Sequence, residues 1–275
     1  LNVGVKLCDV CKRRPAVYRR RDSGERLCAY CLSRSLVKRV RKGISRSVRL
    51  RHGALVAVLA LKERIVESLV LAEIINLIEE RHGGHVLVLV FDHTVSQAMR
   101  AKLARRIPLI HLTVKAEEKI KPFSLPGIIN SLTPWLRNIG FRIDAVLTPL
   151  TLSDFFEIQL QSLLADVTLT REVSPLPRVV GQSVIAHPMS NILRQDVYAY
   201  AFFKGILDDL NDSASPSIRA VEEGCINPIL KNISADFSEH HPELMFKFVE
   251  TMTSLTLMIT GREVQESLRV AQPNH

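Results

Sequence analysis

The chain has 275 residues, of which 47% are hydrophobic and 24% charged, with a formal net charge of +9. These values describe a folded domain with room for a small appendage and exclude a disordered chain. No apolar run reaches the ~18 residues that span a bilayer, and Cys8 and Cys11 stand where a secretory signal would carry its apolar stretch. A cytoplasmic protein that makes no use of a membrane is expected.

The charge is unevenly placed. Residues 1–52 hold 16 Lys or Arg against Asp9, Asp22 and Glu25, or +13, whereas the remainder holds 21 basic and 25 acidic side chains, or −4. A basic arm on a near-neutral body is the footprint of a polyanion binder, with a phosphate backbone as the commonest partner. A solvated basic face that aids solubility is the plain alternative. The arm lacks Trp and Phe, which argues against a membrane surface.

In chain order, residues 1–33 are bounded by Cys8-x-x-Cys11 and Cys28-x-x-Cys31. Each pair turns two thiolates toward one centre, and two such knuckles complete a tetrahedral sulfur shell. Val17-Tyr18-Arg19 and the turn at Asp22-Ser23-Gly24 suit the hairpin of a zinc ribbon. The pattern favours structural Zn2+ over disulfides or an iron–sulfur cluster, and four filled positions leave none open for catalysis. Residues 34–52 form a basic linker helix, with Leu36, Val37, Val40, Ile44 and Val48 at near-helical spacing and Gly43 as a weak point. Arg13, Arg14, Arg19, Arg20, Arg21, Lys38, Arg39, Arg41 and Lys42 are the candidate phosphate contacts.

Residues 53–191 alternate strand-like and helix-like blocks. Strands are expected at 54–60, 86–91, 107–114 and 143–148, and helices at 63–81, 94–106, 127–138 and 152–165. Strands apolar on both faces that alternate with helices predict an α/β fold, a doubly wound parallel sheet. The stretch 171–191, with Pro175, Pro177 and Pro188, reads as an extended crossing loop. Residues 192–275 read as a helical region, with helices at 192–210 and 242–260 and a polar loop at 211–217. Cys225 reads as a small buried hydrophobe, and of the nine histidines His82 and His85 flank Gly83-Gly84 at a helix end, where a cation complements the dipole and needs no ligand role.

The zinc-ribbon cysteines, Ser35-Leu36-x-x-Arg39-Val40, the segment Asn191 to Tyr200, and Glu239-His240-His241-Pro242 with Phe246 resemble the tRNA 2-thiolation family of PP-loop ATP pyrophosphatases. The resemblance implies an adenine nucleotide alpha hydrolase-like sheet. The family's enzymes adenylate a tRNA uridine and replace its oxygen with sulfur. Their strand runs into S-G-G-x-D-S, whose backbone N–H groups cradle phosphate. Here the matching stretch is Leu59-Ala60-Leu61-Lys62-Glu63-Arg64. The family's P-C-x-x-C becomes Pro122-Phe123-Ser124-Leu125-Pro126, and its G-H-N-x-x-D-D becomes Thr148-Pro149-Leu150-Thr151-Leu152-Ser153-Asp154.

These departures argue against ATP and against an iron–sulfur cluster, and they are similar to the non-catalytic branch of the family. That likeness implies a pseudoenzyme that binds tRNA and pairs with a catalytic PP-loop paralogue as a heterodimer, or with itself as a homodimer. The alternative is a nucleotide-dependent tRNA-modifying enzyme with a divergent ATP site that uses Lys62 and Asp92. A zinc-ribbon DNA-binding regulator fits the charge but not the later segments.

Overall fold

The computed structural model describes residues 6–91, 104, 110–114, 125–164, 173–211 and 228–260. A short hairpin of β1 (Tyr18–Arg19) and β2 (Arg26–Leu27) leads into the 19-residue helix α1 (Ala29–Ser47). After it come β3 (Leu55–Ala60), a single 3-10 turn (Lys62–Arg64), α2 (Ile65–Glu79), β4 (His85–Phe91) and β5 (Ile110–Val114). The next elements are α3 (Leu125–Asn138), β6 (Ala145–Leu147), α4 (Leu152–Leu164), β7 (Arg178–Val180) and β8 (Ser183–Ala186). Helices α5 (Arg194–Phe203), α6 (Ile206–Asn211), α7 (Pro228–His240) and α8 (Pro242–Thr260) complete the order.

The main sheet runs β5-β4-β3-β6-β8-β7. All neighbours are parallel except β7, which pairs antiparallel with β8. Strand order therefore grows outward in both directions from β3, so the switch point lies between β3 and β6.

Alternation along the strands sorts their side chains into two cores. Val56, Val58, Ala60, Val88, Val90 and Leu147 face one core, which is closed by α1, α2 and α5. Ala57, Leu59, Leu87, Leu89, Phe91 and Val146 face the other, closed by α3, α4 and α8. The doubly wound α/β fold expected from the strand blocks is thus the fold observed.

Three local expectations change. Helix α1 starts at Ala29, inside the second C-x-x-C, and buries Leu32, Leu36, Val40 and Ile44 along one i, i+4 row. Its glycine is no weak point: a Cβ on Gly43 would overlap the carbonyl oxygen of Pro188, so the missing side chain lets α1 lie against the loop after β8. The stretch read as a crossing loop contains the β7–β8 hairpin, turned at Gly181 (φ +59°). The helix expected over 192–210 breaks at Gly205 (φ +69°) into α5 and α6. Nearly all of the helix block at 94–106, residues 107–109 of the expected third strand and all but the first residue of the loop 211–217 lie outside the described residues.

Candidate metal centre and nucleic-acid interface

The N-terminal knuckle is made by Cys8 to Arg14. Lys12 adopts φ +54°, its N–H donates to the Cys8 carbonyl at 2.9 Å, and the Cys8 N–H donates to the Arg14 carbonyl. Asp9 ties this knuckle to β2. Its carboxylate accepts from the Arg26 backbone N–H at 2.7 Å and from the Arg26 guanidinium at 2.9 Å. Those Arg26 donors hold the Asp9 carboxyl down at about 2.

The second knuckle supplies Cys28 just before α1 and Cys31 in its first turn. The four Sγ atoms of Cys8, Cys11, Cys28 and Cys31 lie within 4.8 Å of one another, and Cys11 and Cys28 approach to 3.8 Å. That exceeds a disulfide bond by far, and all four thiols are free. Four thiolates about 2.3 Å from one zinc ion stand about 3.8 Å apart along a tetrahedral edge. The donor set and its spacing therefore fit a single tetrahedral ion such as zinc.

Electrostatics agree with a cationic occupant. Burial pushes the Cys8 thiol up, but N–H groups of Cys11, Cys28 and Val10 outweigh it and bring the group down to about 6. Burial and the three neighbouring sulfurs push Cys31 up to about 12. Four thiolates this close are tolerable only when a cation shares their charge.

The nine basic candidates divide into two groups. Arg13, Arg14, Arg19 and Arg21 are exposed on the hairpin unit, and Lys38, Arg41 and Lys42 are exposed on α1. Arg21 meets Glu239 of α7 at 3.4 Å, with both side chains about half exposed.

Arg20 and Arg39, also among the expected phosphate contacts, point inward instead. Both converge on Asp196 of α5, a fully buried carboxylate: Arg39 Nη1 donates to Oδ2 at 2.8 Å and Arg20 Nε lies 3.3 Å from the same oxygen. Tyr18 donates to Asp196 Oδ1 at 2.7 Å. Arg20 also donates to Ser35 Oγ and pairs with Glu25, and Arg39 donates to the Asn191 carbonyl. These two arginines fasten the cysteine unit and α1 to the body.

Alongside α1 runs a groove of about 1240 Å³ whose lining includes Arg34, Lys38, Arg41, Lys42 and Arg81. None of these five is engaged in an ion pair among the described residues. Arg34 and Arg81 were not among the candidates. Arg34 follows from the helix itself, four residues before Lys38, whereas Arg81 arrives from the end of α2 and has no local signal.

At the switch point the carboxyl ends of β3 and β6 are joined by charge. Arg64 Nε donates to Asp154 Oδ1 at 2.6 Å, and Arg194 Nη2 reaches the same oxygen at 2.7 Å. Arg194 also meets Glu157 at 3.2 Å and Glu67 at 3.6 Å, and Thr151 caps Asp154 through N–H and hydroxyl. The Arg64, Glu67, Asp154 and Glu157 side chains are all buried. Burial opposes ionisation of Asp154, but Arg64, Arg194 and Thr151 win and hold it far below the usual carboxylate range.

Among the described residues, Glu67 receives no hydrogen bond on either oxygen. Burial outweighs Arg64 and Arg194 there and lifts its carboxyl to about 7. Leu61 belongs to the same apolar cluster as Leu150, Leu152 and Leu193. His187, after β8, is buried, bonded through Nδ1 to Thr148 Oγ1 at 2.6 Å, and pushed down to about 3 by burial. Lys62 is exposed on the 3-10 turn, while Asp92, Cys225 and Pro122 to Ser124 lie outside the described residues.

No family model matches the sequence, and no curated protein does either. Among solved structures, the chain is similar to the U34-tRNA thiolase NcsA from Methanococcus maripaludis, determined with its 4Fe-4S cluster. The TM-score is 0.70 at 17% identity, over 91% of this chain and 87% of that one. Similarity to NMN synthetase from Francisella tularensis is remoter, with a TM-score of 0.42 at 8% identity over 80% of this chain and 96% of that one. Among the described residues, no helix is long and apolar enough to cross a membrane. The chain thus shares the fold of that thiolase structure, and in this protein the mostly parallel α/β sheet is preceded by a four-cysteine unit.

Proposed function

We propose that the protein is a non-catalytic, tRNA-binding subunit of a cytoplasmic tRNA uridine 2-thiolation complex that pairs with a catalytic PP-loop paralogue. The observation that carries this reading is the filled switch point. In open α/β sheets, ligands enter the crevice beyond the carboxyl ends of the strands where the order reverses. Here Leu61 and the Arg64–Asp154–Arg194 cluster occupy that crevice, and the glycines that would admit a phosphate are replaced by Ala60 and Leu61.

The fold shared with a tRNA thiolase and the exposed basic side chains on the cysteine unit and α1 support the choice of tRNA. In this reading the four cysteines hold zinc as a folding element and present the basic face. Compact spacing of the sulfurs favours one ion, because an iron–sulfur cube would place its own atoms between them.

The test is co-purification from the native cell followed by tRNA binding across a salt series. Recovery of tRNA together with a chain carrying an intact S-G-G-x-D-S loop is expected. Affinity should fall with a log–log slope of about −4 to −6, the value for six or seven phosphate contacts. Salt-independent binding, or ATP hydrolysis by the purified chain, would overturn the reading in favour of an enzyme with a divergent site.

A further inference from the structure

Tyr30 stands in the first turn of α1, between the two cysteines of the second knuckle. It is an aromatic ring that the fold does not use. Its exposure is 52%, against 0–1% for its helix neighbours Leu32 and Leu36 and for Leu27 before it. Its hydroxyl makes no hydrogen bond among the described residues. Two guanidinium groups keep it company instead: Arg14 from the first knuckle lies over the ring, 4.5 Å from its centre, and Arg34 from the next turn of α1 lies 5.9 Å away.

Both Tyr30 and Arg34 line the groove along α1, with Lys38, Arg41, Lys42 and Arg81 following. The one acidic residue in the lining, Glu25, is already paired with Arg20 at 3.2 Å. The groove therefore carries uncompensated positive charge along its length and a planar aromatic–guanidinium cluster at the cysteine end.

We infer that this groove binds a single-stranded RNA segment, with an unpaired base stacked on the Tyr30–Arg14–Arg34 cluster and its phosphates tracked by Lys38, Arg41, Lys42 and Arg81. The inference rests on the tRNA-binding reading and narrows it to an unpaired stretch of the RNA. Three arguments carry it. A duplex needs charge alone, because its bases are stacked on one another and cannot reach a protein ring. An exposed ring flanked by guanidiniums beside a basic channel is the arrangement that unstacked bases occupy. The neighbouring zinc-type site also fixes the position of Tyr30, since Ala29 to Cys31 are held at both ends by ligand cysteines, so stacking costs little ordering.

The test uses the full chain with its metal and three probes: a labelled single-stranded 12-mer RNA, a blunt duplex of the same length, and unmodified tRNA. Tyr30→Ala should weaken the single strand about 10-fold or more, the usual cost of losing one stacked base, and leave the duplex within about twofold. Tyr30→Phe should restore single-strand affinity. Charge reversal at Arg41 and Lys42 should weaken all three probes.

Equal affinity of Tyr30→Ala and wild type for the single strand would overturn the stacking inference while leaving salt-dependent tRNA binding standing. Single-strand binding that depends on Tyr30 without any binding of tRNA would keep the groove and remove the tRNA reading. Metal content and thermal midpoint of each variant report folding. An exposed ring gives Tyr30→Ala no reason to unfold, and Tyr30→Leu supplies a second aromatic deletion that preserves bulk.

Discussion

Truncating Asp196 to alanine would remove the buried carboxylate shared by Arg20 and Arg39, leaving them the longer contacts with Asp22 at 3.9 and 3.6 Å and, for Arg20, Glu25, and would leave the Tyr18 hydroxyl without its acceptor. Breaking a buried ion pair from one side costs about 3–5 kcal/mol when the stranded charge keeps no partner, and with Asp22 and Glu25 still in place a loss of about 2 kcal/mol is expected. Urea unfolding of Asp196→Ala should show a loss of that size, and Arg21→Ala, whose partner Glu239 is exposed, should lose under about 1 kcal/mol.

Glu67 gives a pH signature. Its carboxyl is lifted from the ordinary value to about 7, so between about pH 4.5 and 7 the folded chain holds a proton that the unfolded chain has released. Stability from this group is complete at the acid end and is lost as pH rises through the folded value, at roughly 1 kcal/mol per pH unit. Glu67→Gln should therefore match wild type near pH 5 and exceed it at pH 8 in denaturant midpoint. A wild-type advantage that grows toward pH 8 would show that Arg194 pairs with Glu67 in earnest.

None of this was visible along the chain. Arg20 and Arg39 look like their exposed neighbours, and the carboxylate that turns them inward lies 157 positions after Arg39.

Among the elements, α1 is the one whose packing most departs from its propensity. Gly43→Ala would add about 1 kcal/mol of helix propensity in isolation. In the protein the new methyl would meet the Pro188 carbonyl, and overpacking of this kind costs about 1–3 kcal/mol. A lower thermal midpoint for Gly43→Ala is expected; a higher one would mean that the loop after β8 yields.

The elements that could be read from sequence were those whose side chains alone settle their fate. The runs at 55–60 and 86–91 are apolar on both faces and read as interior strands. Helix α8 keeps its length from Pro242 to Thr260. Strands β7 and β8, with three and four residues, were hidden because their ladder is made by each other and by β6 rather than by a long apolar run. The start of α1 was hidden because the second knuckle reads as a metal loop, although Cys28 already has the extended backbone of a helix cap.

For the molecule as a whole, the four cysteines close a small separate core with Leu27 and Leu32, against which Tyr18, Ala199 and Phe203 pack. A unit this small cannot fold on apolar burial alone. One zinc ion per chain and no iron are expected from metal analysis. Chelation should release amide exchange protection across residues 6–33 while β3 and β4 stay protected. Visible absorption from a bound iron–sulfur cluster, or unchanged protection after chelation, would contradict this.

The candidate metal site was legible because ligand spacing is local. The charged cluster at the switch point was not legible along the chain, since Arg64, Asp154 and Arg194 come from three distant stretches.

Cys31 and Ile44 lie on the same unbroken helix, about 20 Å apart at 1.5 Å per residue. The cysteine unit is therefore not an arm on a hinge. In the proposed RNA-binding reading, helix α1 would act as a ruler that fixes how far an RNA gripped at the knuckles stands from the end of the sheet, and a pull on that RNA would travel straight down the shaft into α5.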